Sequence, residues 1–274
     1  MTSERDVRGW ALITGASSGI GADLARVFAA EGRDLVLVAR TRPALDALAA
    51  ELATRHGVRV RVVQADLSAP GAAGRLHAAL DADGLFVETL VNDAGFGMHG
   101  QFVSLDPERQ SSMMQLNVVA LTELCRLFAP EMGRRARGEI LNVASTAAFQ
   151  PGPLMAVYCA TKAYVVSFSA ALADELRPAG VAVSCLCPGP TATGFADAAG
   201  LPALKLFRAS PPMLSIDVAA AGRAALRRRT AVAIPGLRNR LLAGSMRLVP
   251  IATAAGLARR FLETAPPKTA ASPG

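Results

Sequence analysis

Thr14-Gly15-Ala16-Ser17-Ser18-Gly19-Ile20-Gly21 decides how this chain of 274 residues folds. The apolar run Trp10 to Ile13 leads into it and an alanine-rich amphipathic stretch follows, so the segment reads as strand, glycine turn and helix start. At such a turn the missing side chains let backbone approach a pyrophosphate, and the helix N-terminus offers unpaired N–H groups at the favourable end of its dipole. The spacing is Gly15-x-x-x-Gly19-x-Gly21, which is not the G-x-G-x-x-G of the dinucleotide fingerprint. Glycine turns before helices are common, so the reading depends on what accompanies this one.

Outward from the turn, strands are expected near 10–14, 34–39, 58–64, 87–92, 138–144, 181–187 and 230–234, with helical patterns between them. That alternation predicts an α/β fold, a Rossmann-type doubly wound parallel sheet of about seven strands with helices on both faces. A hydrophobic content of 51% is enough to bury a sizeable core. One domain is expected over 1–263, ending in a basic, apolar helical segment at 236–263, with 264–274 as a flexible Pro- and Ala-rich tail.

A second cluster gives the turn its meaning. Tyr158-Cys159-Ala160-Thr161-Lys162 places a phenol and an ammonium four residues apart, on one helix face. Ser145 closes the apolar strand Ile140 to Ala144, at the end where open α/β sheets bind their ligands, and Asn117 sits in Gln115-Leu116-Asn117-Val118. Taken singly, a tyrosine–lysine pair is more often a surface pair, and a strand-end serine a turn residue. Together and in this order, the four residues and the Thr-Gly-x-x-x-Gly-x-Gly turn resemble the short-chain dehydrogenase/reductase family.

The resemblance implies a catalytic tetrad of Asn117, Ser145, Tyr158 and Lys162. Tyrosine is a weak acid with an unperturbed pKa near ~10, and a nearby ammonium that favours the phenolate would bring it toward working pH. Lys162 is expected to supply that charge and to bind the nicotinamide ribose. Ser145 would hold the carbonyl oxygen as hydride arrives. Asn117 would act indirectly, its carbonyl anchoring a water that links the lysine to solvent and its side chain securing the local helix.

The same resemblance places the cofactor on Gly15, Ser17, Ser18, Gly19, Ile20 and Gly21. Asp66 and Leu67 after the third strand would meet the adenine, with Ser68 placed to cap the next helix. Asn92, Ala94 and Gly95 would supply backbone contacts to the cofactor, in Asn92-Asp93-Ala94-Gly95 where the family usually has Asn-Asn-Ala-Gly, so Asp93 is a departure. Pro188, Gly189, Thr191 and Thr193 resemble the loop that holds the carboxamide. The second strand ends Val38-Ala39-Arg40, without the acid that would bond a free ribose and with Arg40, and Arg42 beyond it, able to meet a 2′-phosphate. NADP(H) is therefore the expected cofactor, although the basic residue many relatives carry before the second glycine is Ser18 here.

The expected activity is transfer of hydride between NADP(H) and a ketone or aldehyde, or the corresponding alcohol, with an apolar substrate. Phe96, Met98, His99, Phe149, Leu154, Met155, Phe195, Leu201 and Phe207 are candidates for its pocket, and 194–212 for a lid; each is equally at home in simple packing. The alternative is a catalytically silent NADP(H)-binding sensor or scaffold, against which the intact tyrosine and lysine argue. The Val-Ala-Arg strand end and the basic, leucine-rich C-terminus are most similar to reductases of hydrophobic or acyl-chain carbonyl compounds.

The charge is uneven. The net charge is +7, yet residues 218–260 hold nine arginines and no acid, so the rest of the chain sums to −2. That basic and apolar pattern suits peripheral contact with an anionic membrane or an acyl-thioester carrier, and equally a solvated helix over buried leucines. Nucleic acid is not expected, since no binding module accompanies the arginines. No metal-ligand spacing stands out. The charged start of the chain, the absence of an apolar run of spanning length and four scattered cysteines place the protein in the cytoplasm. The resemblance adds a homodimer or homotetramer built through the helices of Asn117 and Tyr158.

Overall fold

The sheet runs β3 (Val60–Gln64), β2 (Leu35–Ala39), β1 (Trp10–Thr14), β4 (Val87–Asn92), β5 (Gly138–Val143), β6 (Val181–Leu186) and β9 (Val232–Ala233); its order reverses direction between β1 and β4, and that reversal positions the site. The structure is a computed structural model that describes residues 9–195, 199, 212–246 and 249–263. The expected lid falls mostly outside them, as do Leu201, Phe207 and the tail from 264.

The seven strands of the sheet are all parallel. All lie inside the expected spans. The central strands are apolar on both faces, because helices cover both. On one side, α1 (Gly19–Ala30), α2 (Arg42–His56) and α7 (Ser215–Arg227) bury Leu24, Phe28, Leu45, Leu52, Val218 and Leu226 against Ile13 and Leu37. On the other, α3 (Ala72–Ala82), α5 (Leu121–Arg134) and α6 (Ala156–Leu176) bury Leu76, Leu124, Met132 and Val165 against Leu12, Leu90 and Ile140. A short parallel pair, β7 (Thr191–Ala192) with β8 (Met213–Leu214), follows the sixth strand.

Helix α4 (Pro107–Met114) opens on an Asp106 cap and continues into α5 through a π-helical stretch, Gln115–Ala120. Wider turns of this kind recur at functional sites, and Asn117 sits inside this one. At 21 residues and mean hydropathy 1.3, α6 is by length and composition long and apolar enough to cross a membrane. This corrects the reading that no apolar run reaches spanning length. Its apolarity is that of a core helix, spread over alanines and valines; it packs on β6 and carries Tyr158 and Lys162 buried.

The basic region is less free than its composition promised. Arg223 is largely buried and holds Glu31 and Glu139, each through two contacts of 2.9–3.0 Å, tying α7 to α1 and β5. Arg227 pairs with Glu31 and Arg259 with Glu263. The arginines left exposed near the C-terminus include Arg238 and Arg240 on α8 (Leu237–Met246) and Arg260 on α9 (Ile251–Leu262). All four cysteines are buried and unbridged.

Candidate active site

A cavity of about 560 Å³ opens beyond the C-terminal ends of β1, β2, β4, β5 and β6, where the sheet order reverses. The glycine turn forms its floor. Gly15 has φ +72°, and a Cβ there would lie 2.9 Å from the Ala94 amide, so only glycine lets the turn rest on the loop after β4. A Cβ on Gly21 would stand 2.5 Å from the Gly15 carbonyl oxygen and 2.7 Å from Asp93 Oδ2. Ser18 at the N-cap of α1 makes no side-chain cap bond and, apart from the Gly21 N–H, which Asp93 takes, the first N–H groups are open to an anion.

Gly15, Ser17, Ser18, Gly19, Ile20, Arg40, Asp66, Leu67, Ala94, Gly95, Pro188, Gly189, Thr191 and Thr193 all line this cavity. Gly21 lies behind the turn, where its role is close packing. Asn92 does not line the cavity; its side chain is buried in the sheet, donating from Nδ2 to Asn142 Oδ1 at 2.9 Å, while Asn142 donates to Ser169. β4 is still regular at that residue, so the side chain lies on the face that α5 covers, beside Cys125 and its register neighbour Asn142. Ser68 is not a helix cap, since α3 begins later, after Gly71; its N–H and hydroxyl both donate to Asp66. Arg42 is held by Asp46 at 2.7 Å, and Arg40 is the one of the two that lines the cavity.

Ser145, Tyr158 and Lys162 meet on the opposite wall. Ser145 ends β5 and accepts the Ala147 N–H at 3.1 Å, which opens a short 3₁₀ turn and fixes the hydroxyl. Tyr158 and Lys162 lie one turn apart on the buried side of α6, and Lys162 Nζ donates to the Val143 carbonyl at 2.8 Å. Asn117 does not line the cavity. Its Nδ2 donates to Phe96 O at 3.0 Å and Thr161 Oγ1 at 3.1 Å, and its Oδ1 accepts the Phe96 N–H, so it staples the loop after β4 to α6 rather than securing its own helix.

The electrostatics differ from the expectation that Lys162 brings Tyr158 toward neutral pH. Burial pushes the phenol up, and what opposes this is a hydrogen bond from Ser145. Lys162 points to Val143 O with Nζ 5.9 Å from the phenol ring centre, and burial holds its own pKa below the usual lysine value. Asp93, in the same wall, is pushed up to about 7 by burial, against the pull of Lys162 and the Gly21 N–H.

Beyond the tyrosine the walls become apolar. Phe96, Phe149, Met155 and Phe195 are among the expected lining residues that are present, with the Phe195 ring 5.5 Å from that of Tyr158. Met98 and Leu154 line a small hollow behind the tyrosine instead. His99 packs, its Nε2 2.7 Å from the Leu262 carbonyl oxygen. Arg238, Asn239, Leu242, Met246, Phe261 and Leu262, which no motif marks, complete the mouth. The only signal for them was the basic and apolar patterning of 236–263. Asn239 seats α8 on the Pro188–Gly189 loop: a Cβ on Gly189 would lie 2.6 Å from its Nδ2.

The family model "short chain dehydrogenase" matches residues 9–201. A very-long-chain 3-oxoacyl-CoA reductase of Phaeosphaeria nodorum is 36% identical over 181 residues, 65% of this chain and 53% of that one, so the chain spans about half the length of that curated relative. A short-chain dehydrogenase from Sphingobium yanoikuyae, solved in complex with NADPH, superposes with TM-score 0.78 at 38% identity, covering 87% of this chain and 93% of its own. The bulky-bulky ketone specific alcohol dehydrogenase from Comamonas testosteroni gives 0.74 at 32%, covering 91% and 98%. With the glycine turn, the serine and the tyrosine–lysine pair gathered at one cavity, and the family model matching over half its length, the chain belongs to the short-chain dehydrogenase family.

Proposed function

We propose that this protein is an NADP(H)-dependent oxidoreductase that interconverts an apolar ketone or aldehyde and its alcohol. The observation that carries the reading is the convergence of Ser145, Tyr158 and Lys162 on one wall of a cavity whose floor is the glycine turn. The residues fit the cofactor: uncapped N–H groups at α1 suit a diphosphate, and Arg40 in the wall below Ala39 suits a 2′-phosphate. Bound there, NADPH supplies the hydride.

The chain's own residues supply the rest. Ser145 donates a hydrogen bond to the carbonyl oxygen, stabilising the negative charge that grows on it. Tyr158 passes its proton to that oxygen, completing the alcohol. A phenol pushed up by burial stays protonated at neutral pH and is ready to donate. Lys162 sits buried one turn along the same helix with its Nζ on the Val143 carbonyl, and would bind the nicotinamide ribose. Asn117 holds the loop and helix in register through Phe96 and Thr161.

An apolar substrate is supported by Phe96, Phe149, Met155, Phe195, Leu242 and Phe261 around the mouth, and an anionic group on it by Arg238 at the rim. A homo-oligomer fits Met114, Val119 and Tyr164, exposed apolar side chains on α4, the π-helical stretch and α6. The test is fluorescence titration with NADPH and NADH in parallel, followed by turnover on a panel of carbonyl compounds. Tighter NADPH binding with reduction of an apolar ketone is expected. Binding without turnover on any carbonyl would overturn the proposed reaction.

A further inference from the structure

Six of the thirteen large apolar side chains exposed among the described residues, Leu237, Leu241, Leu242, Ile251, Leu257 and Phe261, stand on the two short helices α8 and α9. Large apolar side chains scattered singly over a surface are ordinary; gathered at one place they mark a contact. Two of the six belong to both sides of the rim. Leu242 is 53% and Phe261 43% exposed, yet each also lines the cavity, so the apolar wall continues from inside the cavity onto the outer surface. On α8, Leu237 and Leu241 are one turn apart, with Arg238 and Leu242 following each in turn, while Ala243 is the residue the helix buries.

Charge narrows what can cover this face. Arg238 and Arg240 on α8 and Arg260 on α9 are exposed, and residues 218–262 contain no Asp or Glu. A second copy seated by two-fold symmetry would set the patch against itself, arginine facing arginine with no acid to meet it, and would cap the cavity. An acidic protein surface would meet the arginines and leave the leucines without a partner. Anionic lipid answers both, with phosphate for the arginines and acyl chains for the leucines, and a fluid surface leaves the mouth open to what is dissolved in it.

We propose that α8 and α9 are a docking surface for an anionic lipid bilayer, with the mouth of the cavity set down on it, so that an apolar substrate passes from the acyl chains into the cavity past Leu242 and Phe261. The route for a substrate rests on the function proposed above; the docking does not.

Docking is tested without cofactor or substrate, by flotation of the protein with vesicles of phosphatidylcholine alone and of phosphatidylcholine mixed equally with phosphatidylglycerol. The wild-type protein should float with the mixed vesicles and be released as salt is raised. Leu241 is exposed and lies outside the cavity lining, so Leu241→Glu leaves the fold and the site intact. That variant should bind the mixed vesicles about tenfold more weakly or worse. A wild-type protein that does not float, or an unchanged affinity in Leu241→Glu, overturns the proposal. The orientation is read from tryptophan. The single native one, Trp10, begins β1 and so stands at the end of the sheet away from the cavity. In vesicles carrying a brominated lipid, Leu237→Trp should add emission that is quenched, and the wild-type emission should not change. Quenching of the wild-type protein with none added by Leu237→Trp would mean docking by another face and overturns the proposal. Where turnover has been found, Leu241→Glu should raise KM for a ketone held in the mixed vesicles and leave KM for a water-soluble ketone as it was; equal changes for both remove the route from the bilayer. Flotation as expected in a protein that reduces no carbonyl would uphold the docking and overturn only the reaction.

Discussion

The floor and the mouth of the cavity are built on opposite principles. At the floor, backbone meets backbone: Gly15, Gly21 and Asp93 leave no room for a single added carbon, and Thr14 Oγ1 takes two successive N–H groups. At the mouth, α8 and α9 present apolar side chains outward, with Leu237 66%, Leu241 65% and Ile251 76% exposed. The floor recognises parts that every nicotinamide dinucleotide shares, so its geometry is narrow and few residues satisfy it. The mouth needs only apolar area and positive charge, which many sequences supply. The match to the family model ends at residue 201, before either mouth helix begins. The chemistry is thus fixed where tolerances are small, and the substrate where they are large.

The largest effect that can break this division is at Tyr158. Tyr158→Phe should lower kcat by about a thousandfold while NADPH binding by fluorescence stays within about twofold, since only the proton donor is lost. Retained turnover would take the chemistry away from the wall that Tyr158 shares with Ser145 and Lys162. Next is Arg40→Asp, expected to weaken NADPH binding by tens to about a hundredfold in the same titration, with NADH binding unchanged or improved. Equal losses for both nucleotides would mean that Arg40 does not read the phosphate.

At the mouth the effects should be smaller and fall on KM. Leu242→Ala with Phe261→Ala should raise KM for a bulky apolar ketone by about tenfold in steady-state kinetics, leaving kcat close to wild type. A fall in kcat alone would place these side chains in the chemistry and blur the comparison. The smallest effect is at Arg240, exposed and outside the cavity lining. Arg240→Gln should weaken co-sedimentation with vesicles containing anionic lipid by about fivefold and leave neutral vesicles unaffected. No difference between the vesicles would make the basic helices merely solvated.

How legible each region was follows from the same contrast. The parallel strands could be read because their apolar runs are broken by turn residues, and the order of Gly15, Gly19, Ser145, Tyr158 and Lys162 was enough to bring them to one cavity. The motif did not say where the Asn92 side chain would go: the sheet takes it into its bonds with Asn142, and the cavity receives Asp93, the next residue. Arg223 misled because a run of arginines carries no sign of which will find acids, and Glu31 and Glu139 come from elements far away in the chain.

The sequence by itself determined the alternation of strands and helices, the glycine turn and the identities of the reactive side chains, since these depend on local periodicity and on residue chemistry. Only the tertiary structure decided that Lys162 turns to Val143, that Asn117 joins two elements, and that α8 and α9 close the mouth. Those depend on contacts between residues distant in the chain, and burial, which sets the charge states of Asp93, Tyr158 and Lys162, exists only once the chain has packed.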